Sequence, residues 1–136
     1  MKIFICTSKH LYERIPKIKE ELEKSGHVIC LPNSYDNPMR EEEMKIIGKL
    51  EHINWKGNMI KLQKEKIEKN DAILVINMEK NEIENYIGGA TFLEMFKAWE
   101  LNKKIFLFNE IPSNILKDEI TAFNPIIING DLKKIK

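Results

Sequence analysis

The chain reads as an α/β domain built on a parallel sheet of about five strands. Three observations predict this. Short apolar runs alternate with amphipathic stretches of helical period along the whole chain. The runs are continuously apolar, which is the pattern of strands covered on both faces. Strands that alternate with helices need crossover connections, and these are right-handed and give a parallel sheet. Helices then lie on both sides of the sheet, in a three-layer arrangement of flavodoxin-like (Rossmann-like) order. The 136 residues fit one domain spanning 1–136.

Each element has its own signal. Ile3 to Cys6 is the first buried strand. Ile15, Ile18 and Leu22 recur at helical spacing, so a helix begins near Pro16 and stops at Ser25-Gly26. Val28 to Leu31 is the second strand, ended by Pro32. After a loop, Asn37-Pro38 has the form of an N-cap followed by proline at the first helical position. From Glu41 to Lys69 the pattern is helical, with Ile46, Leu50, Ile53, Ile60 and Ile67 on one side and Gly48 and Gly57 as weak points. Ala72 to Ile76 is the clearest buried strand, followed by a loop from Asn77 to Ala90. Phe92, Met95, Phe96 and Trp99 mark a helix that ends near Asn102, and their spacing predicts a core position for all four. Ile105 to Phe108 and Pro125 to Ile128 supply the last two strands, with a short helical stretch between them.

Composition excludes several function classes. Lys+Arg total 22 against 21 Asp+Glu, a net charge of +1, without the basic excess of a nucleic-acid binder. The chain has two cysteines, too few for a disulfide framework, and its three histidines show no ligand spacing, so no metal site is expected. The amino terminus lacks a signal-peptide apolar region, and no apolar stretch reaches the roughly 18–20 residues that span a bilayer. A cytoplasmic protein with free thiols and no membrane partner is the expectation. Neither GxxxxGK[ST] nor GxGxxG occurs, so no nucleotide cofactor is predicted.

In such sheets, ligands bind beyond the carboxyl ends of the strands. Thr7, Ser8, Asn33, Asp36, Asn77, Glu79, the Gly88–Thr91 loop and Asn109 fall there, whereas Asp71 falls at the opposite end. The most informative segment runs from Asn85 to Met95. Gly88-Gly89 lets backbone approach a ligand closely. A helix starting directly afterwards offers free N–H groups and a positive dipole end, suited to a phosphate, a sugar hydroxyl or a carboxylate. Glu94 is expected in the first turn of that helix, at the edge of the cleft. The same spacing from Thr91 to Glu94 is also that of a capping box, in which the glutamate serves only its own helix.

These pieces together resemble the nucleoside 2-deoxyribosyltransferase-like superfamily. The matching segments are Lys2 to Ser8, Asn70 to Val75, Ala90 to Glu94 and Ala98 to Leu107, which together sample nearly the whole chain. The resemblance implies a small flavodoxin-like domain that cleaves or transfers the N-glycosidic bond of a (deoxy)nucleoside or nucleoside 5′-monophosphate. Glu94 would be the nucleophile that forms a covalent glycosyl intermediate, as in a retaining glycosidase. Thr7, Ser8, Asn77, Gly88, Gly89 and Thr91 would bind substrate. Asn124 would match an asparagine lent to a neighbouring subunit, which implies a homo-oligomer. The chain departs from the pattern in three places. Gly88-Gly89 stands where many members have an aspartate or serine, and Gln63 stands where an acidic residue is common. The first loop, Cys6 to His10, lacks the usual tyrosine or phenylalanine, and no general acid is evident in the sequence. The alternative is a non-catalytic nucleotide-binding module with the same cleft; a third possibility is an interaction protein with a vestigial one.

Overall fold

A computed structural model describes residues 1–136. Five strands, β1 (Lys2–Cys6), β2 (Val28–Cys30), β3 (Ala72–Val75), β4 (Lys104–Leu107) and β5 (Ile126–Ile127), form one sheet in the order β2-β1-β3-β4-β5. Every pairing is parallel. This is the three-layer, flavodoxin-like α/β fold, and its strand order reverses between β1 and β3.

The side-chain period of two divides the core. Ile3 and Ile5 of β1 join Leu74, Phe106 and the buried face of α1 (Ile15–Lys24) on one side of the sheet. Phe4, Cys6, Ile73, Val75, Ile105 and Leu107 face the other side. There they meet Ile67 of α3 (Lys49–Lys69), Met95 and Ala98 of α4 (Gly89–Glu100) and Ile120 of α5 (Lys117–Ala122). Strands buried on both faces have no polar phase, which is why they read as continuous apolar runs.

Local chemistry sets the element boundaries. A 3-10 helix, Lys9–Arg14, precedes α1, and Pro16 occupies the first turn of α1, where its missing N–H costs nothing. The helical stretch expected from Glu41 is two helices, α2 (Arg40–Ile47) and α3, divided at Gly48, while Gly57 is accommodated inside α3. Asn37-Pro38 does not cap α2; Met39 is the cap residue, two positions further on. Two of the expected core aromatics are corrected: Met95 is fully buried, but Phe96 is 38% and Trp99 49% exposed. They pack with Phe92 and Phe123 as an aromatic surface cluster, with ring centroids 5.6–6.4 Å apart. Twelve residues give α4 only one buried stripe, Thr91, Glu94, Met95 and Ala98, and Phe96 and Trp99 lie off it.

Asp71 lies at the amino end of β3, where its Oδ2 accepts from the Lys2 amide at 2.7 Å. It therefore holds the far end of the sheet, away from the carboxyl-end loops. No helix is long and apolar enough to cross a membrane.

Candidate active site

The carboxyl ends of β1, β2 and β3 open into a cleft of about 260 Å³. It lies over the reversal between β1 and β3, where doubly wound sheets accept ligands. Its walls come from the segment after β1 (Thr7 to His10, and Tyr12), the loop after β2, the loop after β3 with the start of α4, and the inward side of α3.

Glu94 lies on the cleft wall and is 6% exposed. It is in the second turn of α4, not the first, because α4 begins at Gly89 and Gly88 is the cap residue. No side-chain hydrogen bond caps α4, so the capping-box reading of Thr91 and Glu94 does not hold. Thr91 is the third helical residue, buried and facing the same cleft. Its separation of three from Glu94 places both on one helix face.

Burial dominates the electrostatics of Glu94. Desolvation pushes its pKa up to about 8, against weaker opposing effects from a Cys6 hydrogen bond and the charges of Lys66 and Lys56. The dipole of α4 does not offset this, because Glu94 lies beyond the first turn, where that effect fades. The carboxyl therefore holds its proton at neutral pH. Burial likewise raises the Cys6 thiol and the Tyr12 phenol, and the Glu94 charge raises both further.

A second carboxylate lines the cleft with the opposite bias. Burial pushes Glu41 up, but hydrogen bonds from His52 (2.9 Å) and Lys56, whose ammonium lies at 3.1 Å, outweigh it and leave the pKa below its ordinary value. Glu41 and Glu94 thus present one ionised and one protonated carboxyl to the same space.

The structure brings most of the expected residues together. Thr7, Ser8, Gly88, Gly89, Thr91 and Glu94 all line the cleft. Thr7 also donates to the Ile76 carbonyl at 2.7 Å, which ties the ends of β1 and β3 together. A Cβ on Gly88 would meet the Tyr86 hydroxyl at 3.3 Å, whereas Gly89 borders open space. Asn77 is outside the cleft and fully buried. Its amide donates to the Glu110 carbonyl at 2.9 Å and accepts from the Asn109 amide at 2.8 Å, which pins the loops after β3 and β4 together. Asn124, at the amino end of β5 beside the aromatic cluster, is also outside the cleft of its own chain. Asp36, Glu79, Glu82 and Glu84 do not reach it.

Several lining residues were not foreseen. Tyr12, on the 3-10 helix that follows β1, brings an aromatic ring to the cleft wall. Trp55 and Met59 of α3 form an apolar wall; Gln63, already singled out in the sequence, also lines the cleft and donates to the Ala90 carbonyl at 3.4 Å. No group of three or more His, Cys, Asp or Glu side chains is arranged to hold a metal ion. No protein-family model and no curated protein matches the chain.

Proposed function

We propose that the cleft cleaves or transfers the N-glycosidic bond of a (deoxy)nucleoside or nucleoside 5′-monophosphate, with Glu94 as nucleophile. The observation that carries this reading is a deeply buried carboxyl on the wall of an open polar cleft, with no role in capping its helix. In the first step a Glu94 oxygen bonds to the anomeric carbon as the bond to the base nitrogen breaks. The base leaves with that electron pair and takes up a proton from water in the open cleft, and the proton of the attacking water or base returns to solvent in the second step. In the second step water or a second base attacks the same carbon and frees Glu94. Trp55 and Met59 offer a surface on which a planar base can lie, and the hydroxyls of Thr7, Ser8 and Thr91 suit a sugar. Incubation with a panel of nucleosides and their 5′-phosphates tests the reading: free base is the expected product, and its absence across the panel contradicts it.

The proton on Glu94 makes a pH prediction. Attack requires the anion, so kcat/KM rises with pH, about tenfold per unit, and levels off above about 8. The opposite slope, with activity lost as pH rises through the same region, would instead make Glu94 the proton donor and Glu41 the ionised partner. The high pKa also favours the second reading, a nucleotide-binding module without turnover. Thermal shifts from the same panel without any base release would establish that alternative.

We further infer a homo-oligomer that uses the outer face of α4 near Asn124. Leu93, Phe96 and Trp99 leave apolar surface exposed there, and the ring of Phe123, the residue before Asn124, packs in the same cluster. Light scattering is expected to give a mass above that of one chain, and Trp99→Asp to reduce it to one chain. A wild-type monomer at every concentration overturns this inference.

A further inference from the structure

The cleft has one wall whose charge no protein group offsets. Three lysines line the cleft: Lys9, Lys56 and Lys80. Lys9 is paired with Glu42, and Lys56 with Glu41. Lys80 has no carboxylate partner. Its backbone is fixed nonetheless. Lys80 and Ile83 exchange two hydrogen bonds of 3.0 and 2.9 Å across a two-residue turn, with Asn81 and Glu82 both at positive φ. Its ammonium lies 4.4 Å from the centre of the Tyr86 ring. That contact holds a cation in place without neutralising it.

The surroundings add hydrogen-bonding groups beside that charge. His10 lines the same cleft, and its pKa is lowered by partial desolvation and then by the charges of Lys80 and Lys9, which marks the three as neighbours. The amino end of α4 contributes the Gly88 and Gly89 backbone to the cleft. Of the two carboxyls in the cleft wall, Glu41 is engaged by His52 and Lys56, and Glu94 is protonated at neutral pH.

We propose that this wall, with Lys80 as its specificity-determining residue and His10 and the Gly88-Gly89 backbone beside it, binds a phosphomonoester on the sugar of the substrate. The proposal rests on the glycosidic reading of the cleft and narrows it to nucleoside 5′-monophosphates over nucleosides. Neutral sugars would leave the Lys80 charge unanswered, whereas a phosphate dianion pairs with it and accepts hydrogen bonds from the backbone.

Two measurements separate this proposal from the reading beneath it. The first is titration with inorganic phosphate, followed by the amide resonances of Lys80, Gly88 and Gly89. Saturable shifts are expected in the wild type, weakened about 10–100-fold in Lys80→Ala and retained in Lys80→Arg. Lys64→Ala, at an exposed position on α3 outside the cleft, should match the wild type. The second compares base release from nucleosides and their 5′-monophosphates. Lys80→Ala should lower kcat/KM for the monophosphates about 10–100-fold, chiefly through KM, and leave that for nucleosides unchanged. Phosphate binding that depends on Lys80, without base release from any compound, supports the phosphate site and contradicts the glycosidic reading. Equal release from nucleosides and monophosphates, or phosphate shifts unaffected by Lys80→Ala, overturns the phosphate site and leaves the glycosidic reading standing. Neither phosphate binding nor base release overturns both.

Discussion

Glu94→Gln lowers base release by about 10⁴-fold or more while ligand affinity stays near that of the wild type. Glutamine keeps the volume of the buried side chain but cannot act as an anionic nucleophile. The fold should survive, because Glu94 caps nothing and its carboxyl carries a proton at neutral pH. Stability should in fact rise above mildly acidic pH. The folded-state pKa of about 8 exceeds the unfolded reference of 4.5, so the folded chain binds the extra proton between them. The wild type therefore loses stability as pH rises from 4.5 to about 8, by at most about 1.4 kcal/mol per unit. The glutamine variant lacks that slope, and thermal unfolding across this range measures the difference. Asp71→Asn is the activity control, since Asp71 only accepts from the Lys2 amide at the far end of the sheet. Wild-type base release from Glu94→Gln contradicts the nucleophile role.

Asn77→Ala destabilises the fold by about 3 kcal/mol. The substitution strands three polar backbone groups, the Asn109 amide and the carbonyls of Asn109 and Glu110, each worth about 1 kcal/mol when its bond is lost. Denaturant unfolding measures the loss. Asn77→Asp keeps the acceptor for the Asn109 amide but sets a buried carboxyl against the Asn109 and Glu110 carbonyls, and should lose at least as much. In both variants KM should stay near the wild-type value under conditions where the protein is folded. A higher KM with unchanged stability would instead return Asn77 to the substrate-binding role expected from the sequence.

The architecture was legible because its determinants are local. Strands covered on both faces announce themselves as apolar runs, and Ile15, Ile18 and Leu22 record the buried side of α1 at helical period. The site was legible in part for the same reason: the residues that follow β1, and those that lead into α4, must come to the carboxyl edge of a parallel sheet. What was hidden depends on tertiary geometry. Thr91 and Glu94 have capping-box spacing, yet α4 starts at Gly89, and nothing in the spacing fixes the starting residue. Tyr12 was missed because a 3-10 turn, rather than the loop itself, delivers the ring. The ionised state of Glu41 comes from His52 and Lys56 on another helix, a contact made only when α2 folds onto α3. Phe96 and Trp99 fit the helical period but exceed what one buried stripe of α4 accommodates.

The role of Glu94 is tested most directly by intact-mass analysis after incubation with 2′-fluoro-arabinosyl nucleosides and their 5′-monophosphates. Fluorine beside the anomeric carbon slows both steps, and a good leaving base lets the first outrun the second. The expected result is release of the base together with a mass increase equal to one fluoroglycosyl group, located on the peptide that carries Glu94 and absent from Glu94→Gln. Base release without an adduct, or an adduct on any other residue, would contradict the covalent mechanism assigned to this cleft.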